Sequence, residues 1–364
     1  MTLAPTRVDV GTLLLLVALG LIGVLAVASA THDPGRAWFV GAAGKQLAFL
    51  ALGVLVYYVV QRVDYHDWAG AWVLLYLGGL LLLGALLLVA RPIAGARSWF
   101  ELGPVRLQPS EPMKAVVCLS VASFLGEVTG KLDFSRLLKV GALVGLPVLL
   151  VAIQPDLGTA ITFIPLFVAI VWLAGIRPRV LVSLAVVAAL AAPVAWFVVL
   201  QPYQKDRIRT VFDPSRDPSG TGYQVIQSRI AIGSGGPVGK GLLHGSQSRL
   251  DFLPAQETDF VLAVLAEETG FVGVTLVLAL YAALLLRAIG TASVAQDHLG
   301  MFLALGVAAL WAGQIFINAG MVTGVLPTIG VPLPVLSYGG SSTVATFLAF
   351  GLVGSVRSGR FVNA

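Results

Sequence analysis

Asp259, Glu267 and Glu268 are carboxylates in a stretch that otherwise belongs in an apolar environment, ETDFVLAVLAEE. Asp259 is open to two readings. It is a first-turn acid that complements a helix dipole behind a Thr258 cap, or a carboxylate at a water–membrane boundary, placed to take a proton from an incoming hydroxyl. At about 1.5 Å per residue, Glu267 and Glu268 lie roughly 12 Å deeper. Ionisable groups at that depth are costly, so they are paired, protonated or functional. Lys114 and Asp156 are candidate partners for them.

Cations gather in two other places. Arg97, Arg106 and Lys114 follow one another through RPIAGARSWFELGPVRLQPSEP and the residues after it, beside Trp99 and Phe100. These aromatics suit an interfacial anchor, or a groove for a lipid tail and head group. Ser110 and Glu111 ahead of Pro112 look like an ordinary helix start. Arg207, Arg209 and Lys240 lie in the long segment 201–258. Its glycine-rich part, GSGGPVGKG, fails the phosphate-loop pattern: Ser234 stands where the first Gly belongs, and Gly241 follows Lys240 where Ser or Thr is needed. It reads as a turn-rich connector whose exposed N–H groups and Lys240 could still meet a phosphate. His32, His66, His244 and His298 form no zinc pattern, and Cys118, the only cysteine, excludes an internal disulfide.

The elements that must position these residues are membrane spans. The chain has 364 residues, is 57% hydrophobic and 11% charged, and has a mean hydropathy of +0.91. A soluble domain carries roughly 25% charge, so lipid must be the solvent here. Apolar runs near 10–29, 42–61, 70–90, 112–127, 138–153, 158–175, 180–200, 259–286, 299–325 and 340–356 predict an all-α integral membrane protein of about ten transmembrane helices in a single domain. The run after Arg7 is long enough to be a retained first helix rather than a signal peptide. Gly and Pro between Gly320 and Pro334 predict a broken or re-entrant helix in the ninth region, tolerated only where protein or water surrounds it.

Ten spans put both termini on one side. With cytoplasmic termini, the inner basic set is Arg7, Arg62, Lys131, Arg136, Lys139, Arg177, Arg179, Arg287, Arg357 and Arg360; thirteen fall outside, including Arg36 and Lys45. Seven of the thirteen lie in 201–258 and four in 91–114, so the positive-inside rule alone does not favour this orientation. An anionic ligand at the outer face would account for both clusters. Segment 201–258 is too apolar for disorder. Its TGYQVIQSRIAI, with Tyr223, Ile226, Ile230 and Ala231, predicts a short amphipathic helix on the membrane face.

Six stretches in order resemble the SEDS family of polytopic membrane proteins (shape, elongation, division and sporulation). They are ARSWFELGPVRL with QPSE and Lys114; QPDLGT, which holds Asp156; RIRTVFDP; GYQVIQSRIAI with the glycines after it; FLPAQETDFVLAVLAEE; and PTIGVPLPVLSYGGSS, which holds Ser337 and Ser341. The stretch QSRLDFLP from Gln247 to Pro254 looks more like the elongation than the division branch. The resemblance implies a peptidoglycan glycosyltransferase that polymerises lipid II at the outer face of the bacterial cytoplasmic membrane, beside a class B penicillin-binding protein that crosslinks. It places the family's essential aspartate on Asp259, its outer-loop Trp on Trp99 and its fourth-span Lys on Lys114. Substrate-binding residues expected with them are Arg97, Arg106, Asp156, Arg207, Arg209, Lys240, Glu267, Ser337 and Ser341. Glu257 departs from the family, which more often has His there. A divalent cation, Mg or Mn, is a possible cofactor, and nucleic acid is not an expected partner. The alternatives are a lipid II flippase, which helix breaks and intramembrane glutamates would suit, and a scaffold for the crosslinking enzyme.

Overall fold

Each of the ten apolar runs is helical in the computed structural model, which describes residues 8–31, 41–92, 95–103, 105–127, 133–176, 178–218, 220–249 and 252–359. The runs become α1 (Val10–Ala30), α2 (Ala42–Arg62), α4 (Trp72–Val89) after a short α3 (Tyr65–Gly70), α5 (Ser110–Gly126), α6 (Phe134–Ile153), the pair α7 (Leu157–Ile161) and α8 (Ile164–Leu173), and α9 (Pro178–Val194) with a π-helical end, Ala195–Val199. After α10 (Pro202–Phe212), α11 (Thr221–Gly235) and α12 (Ser246–Arg249) come α13 (Val261–Ser293), α14 (His298–Val322) and α15 (Gly340–Gly359). Six of them, α1, α2, α4, α6, α13 and α14, are each long and apolar enough to cross a bilayer. The chain is an all-α integral membrane protein. Among the described residues the one sheet is a hairpin of β1 (Phe100–Leu102) and β2 (Val105–Leu107), with Phe100 opposite Leu107. Arg7, His32, Arg36, Lys131, Arg177, Leu250, Asp251 and Arg360 lie outside the described residues.

Aspartates start several helices by accepting a backbone N–H of the first turn: Asp9 from Thr12, Asp133 from Arg136, Asp156 from Thr159 and Asp297 from Gly300. Inside the bundle α14 packs on α5, α8, α13 and α15, and its Trp311 meets Phe350 edge to face at 5.9 Å. Glycines let α2 and α15 close on each other. A Cβ on Gly53 would come within 2.5 Å of the Phe347 ring. Small residues at such contacts are how helices associate where lipid is as apolar as the side chains. Leu74, Leu81 and Leu88 of α4 and Phe271 and Leu286 of α13 point away from the bundle, as lipid-facing residues do.

Two expectations need correction. The ninth region is not broken, for α14 runs unbroken past Gly320 to Val322, and irregular chain follows over 323–339. Its carbonyls are answered by buried side chains: Tyr281 donates to Pro334 O at 2.6 Å, and Gln46 to Val335 O at 3.1 Å and Ser337 O at 3.0 Å. The break lies in α13, at Gly270 with φ 66° and ψ −162°. The glycine-rich connector fills that break. Lys240 and Gly241 donate backbone N–H groups to Glu267 O and Glu268 O, both at 3.0 Å, and Phe271 and Val272 donate back to Gly236 O and Pro237 O. A Cβ on Gly239 would sit 2.1 Å from Glu268 O, so the glycines serve close backbone approach, not a phosphate. The amphipathic helix expected in the long segment forms as α11, and only Ala231 of its expected apolar face turns inward. Gly222, Val225, Ser228, Ala231 and Gly235 are buried, whereas Ile226 and Ile230 are exposed. Small residues pack on protein, and the isoleucines are left for the surroundings.

Candidate functional site

At the end of the bundle where α5, α7 and α13 begin lies a cavity of about 450 Å³, lined among others by Trp99, Gln108, Glu111, Asp156, Tyr203, Arg207, Thr258, Asp259, Gly330 and Tyr338. Each wall has a local cause. Trp99 enters the β-hairpin, whose two ends are tied down: Arg97 N–H donates to Gln154 O at 3.2 Å, and Gln108 N–H to Ser341 Oγ at 2.9 Å. Asp156 caps α7 through Thr159 N–H and Oγ1 at 3.1 and 2.9 Å, and it accepts a third bond from Gln108 Nε2 at 3.0 Å. Burial lifts the Asp156 carboxyl above the usual range, against the Thr159 bonds.

Asp259 sits in the turn ahead of α13, with its N–H bonded to Ala255 O at 3.1 Å. The helix begins two residues later, with no side-chain cap, and Thr258 Oγ1 donates to Ala255 O at 3.2 Å. The capping reading therefore fails, and the Asp259 side chain faces the cavity. Burial raises its carboxyl to about 6; the Thr258 bond and the Arg207 charge pull it down, while Glu257 and Asp156 push it up. A carboxylate that titrates there is poised as a proton acceptor near neutral pH.

The structure brings together Asp259, Asp156, Trp99 and Arg207, and disperses the other expected site residues. Lys114 is 1% exposed and donates to Glu111 Oε1 at 2.7 Å and Gln314 Oε1 at 3.0 Å. It is thus no partner of Glu267 or Glu268; it touches the cavity wall through Glu111, and its charge also acts on Asp156. Glu267 pairs with Lys240 at 2.7 Å and accepts N–H bonds from Ser246 and Gln247, while Glu268 accepts from Ser29. That clasp lies outside the cavity lining. Arg97 and Arg106 are exposed, the first donating to Leu87 O at 3.2 Å and the second 3.7 Å from Glu101. Arg209 pairs with Asp206 and lines a neighbouring cavity of about 520 Å³, which shares Tyr203 and Arg207 with the first. Ser337 accepts from Leu333 N–H and Ser341 from Gln108 N–H, so both brace backbone.

Sequence reasoning passed over Glu111, Gln108, Tyr203 and Tyr338. Glu111 was legible only through its i,i+3 spacing to Lys114. Among the described residues no three His, Cys, Asp or Glu side chains stand close enough to hold a metal ion. Asp156 and Asp259 do share the cavity, and magnesium-type sites use one or two carboxylates together with substrate phosphates.

Comparison with known proteins places this geometry. The chain is 38% identical over 354 residues to the peptidoglycan glycosyltransferase MrdB of Escherichia coli K12, covering 97% of this chain and 94% of that one. It is 37% identical to the stage V sporulation protein E of Bacillus subtilis, covering 93% of each. Among solved structures, it matches a chain from work on the structural coordination of polymerization and crosslinking by a peptidoglycan synthase complex, with a TM-score of 0.83, 34% identity and coverage of 99% and 100%. It also matches the rod shape determining protein RodA of Thermus thermophilus, with a TM-score of 0.71, 30% identity and 98% of each chain, in keeping with the resemblance to the elongation branch. Residues 6–360 match the family described as FtsW/RodA/SpoVE cell cycle protein, and the chain belongs to that family.

Proposed function

We propose that this chain is a peptidoglycan glycosyltransferase that polymerises lipid II, with Asp259 as general base. The observation that carries the reading is the placement of the Asp259 carboxyl in the wall of a cavity that also holds Arg207 and Trp99, where burial raises it to about 6. Asp259 accepts the proton of the acceptor GlcNAc 4-hydroxyl. That oxygen bonds to the anomeric carbon of the donor MurNAc as the bond to undecaprenyl pyrophosphate breaks, and one displacement turns an α-linked donor into a β-linked chain. Arg207 offers a bidentate partner for the charge on the leaving pyrophosphate. Trp99 gives an apolar wall for the sugar or the lipid. A divalent cation, if bound, would neutralise the pyrophosphate, and with Asp259 kept for the proton, Asp156 is the cavity carboxylate that would hold it beside the substrate phosphates.

The cavity opens at the end of the bundle opposite Asp9 and Arg357, which fits an outer-face site in the bacterial cytoplasmic membrane. The resemblance to a chain of a synthase complex supports a class B penicillin-binding protein as partner.

The test is purified protein with labelled lipid II. Wild type should lengthen glycan, and folded Asp259→Ala should not. Movement of label between vesicle leaflets without any glycan growth would instead favour the flippase reading.

A further inference from the structure

Two buried amides on α14 do work that the bilayer alone does not demand. Gln314 is 1% exposed and Asn318 0%, and one turn apart they share a face of the helix. Irregular chain at membrane depth needs donors for its carbonyls, which explains why amides lie near 323–339. It does not explain what they join. Asn318 Nδ2 donates to Asp259 O at 2.9 Å and to Val331 O at 2.7 Å. Next to Val331, Gly330 has φ +71°, and a Cβ there would stand 3.3 Å from Asp259 Oδ2. One amide therefore sets the gap between the turn that carries the carboxylate and the irregular stretch that walls it. Gln314 Nε2 donates to Pro332 O at 2.8 Å, while its Oε1 accepts from Lys114, the partner of Glu111. Glu111, Asp259, Gly330 and Pro332 all line the cavity, and these two side chains fix how they stand to one another.

Chemistry also fixes the orientation of Asn318. Both of its neighbours are carbonyl oxygens, so only the NH₂ group can face them. Among the described residues its Oδ1 has no hydrogen-bond partner.

We infer that Asn318 and Gln314 are positioning residues for the transfer step: they hold the Asp259 carboxylate at a set distance from the Glu111 side of the cavity. The inference rests on Asp259 being the base. Asn318→Leu keeps the branched four-atom skeleton and removes both donors. Gln314→Met removes the amide one turn earlier.

The measurement is polymerisation of labelled lipid II by full-length protein, with kcat and KM separated, alongside melting temperature and an Asp259→Ala control. The expected result for Asn318→Leu is a kcat loss per folded molecule of about tenfold to a hundredfold, with KM within twofold and a lowered melting temperature from the two carbonyls left without their donor. Gln314→Met should show the same pattern, more weakly. Wild-type kcat in a folded Asn318→Leu protein overturns the inference, as does a rise in KM alone or a loss that merely tracks the folded fraction. A dead Asp259→Ala beside a fully active Asn318→Leu removes only the positioning claim. An active Asp259→Ala removes the base assignment and the inference with it.

Discussion

The two ends of the bundle both bury carboxylates, but where one end pairs them, the other pairs Glu111 with Lys114 and leaves Asp156 and Asp259 facing a cavity. At the end away from the cavity, Asp9 is 5% exposed by side chain and bonds the Arg287 guanidinium, with Arg357 Nε a further 3.8 Å away. Tyr57 OH reaches Asp9 O at 3.0 Å and Thr12 Oγ1 reaches Asp9 Oδ2 at 2.5 Å. Nearby, Asp297 accepts from Tyr65 OH at 3.0 Å and faces His66 Nε2 at 2.6 Å. Here the carboxylates tie the start of α1 and the junctions of α2–α3 and α13–α14 together. At the cavity end, Asp156 and Asp259 line open space, and neither is within ion-pair distance of a cation among the described residues. Paired charge fastens helices, whereas charge left facing a cavity is held ready for something that arrives. The contrast is sharp enough to be broken by mutation.

The largest effect is expected from Asp259→Ala. Removing a general base costs about 10²–10⁴ in rate, so glycan synthesis should fall to background while melting is unchanged or higher, since a desolvated carboxyl is gone. Asp9→Ala should do the reverse. Stripping the acid from two partly buried guanidinium groups costs about 3–5 kcal/mol, read as a large drop in melting temperature, with polymerisation per folded molecule close to wild type. If Asp9→Ala instead abolished turnover in a folded protein, the division of labour between the two ends would be wrong.

Titration sharpens the same contrast. With Asp259 raised to about 6, its base form is lost as pH falls through that value, about two pH units earlier than for a free carboxyl near 3.9. Turnover should drop about tenfold per unit below pH 6. The Arg207 charge lowers the Asp259 value. Arg207→Ala should therefore move the acid limb to higher pH as well as weaken turnover by about tenfold, the loss of one charge-assisted contact to the leaving group. An acid limb that stayed in place in Arg207→Ala would separate Arg207 from Asp259.

These outcomes depend on placements of which the sequence shows only part. A helix at each of the ten apolar runs was legible, and the six longest are of a length and composition that a bilayer accommodates. Asp259, Asp156, Trp99 and Arg207 were reached through motif resemblance and charge location. What stayed hidden depends on contacts distant in sequence. Lys114 reads as a free cation until α14 brings Gln314 against it, 200 residues away. Lys240 reads as a phosphate ligand until the Gly270 break lets its backbone dock on α13. Residue type alone does not reveal whether a charge is already spent.

The smallest expected effect tests that last point. Arg106 and Arg209 belong to the basic clusters that suggested an anionic ligand, yet their side chains are 59% and 50% exposed and face Glu101 and Asp206. Exposed pairs contribute little to stability, and neither residue lines the cavity that holds Asp259. Arg106→Ala and Arg209→Ala should therefore change kcat and KM by less than about twofold, with a mild salt dependence from weaker steering of the anionic lipid. The two are not equivalent. Arg209 lines the adjoining cavity that shares Tyr203 and Arg207 with the first. A clear rise in KM from Arg209→Ala alone, with kcat unchanged, would mean that the lipid-linked substrate extends across Arg207 into that second cavity, and the boundary between spent and available charge at this end would have to move outward by one turn of α10.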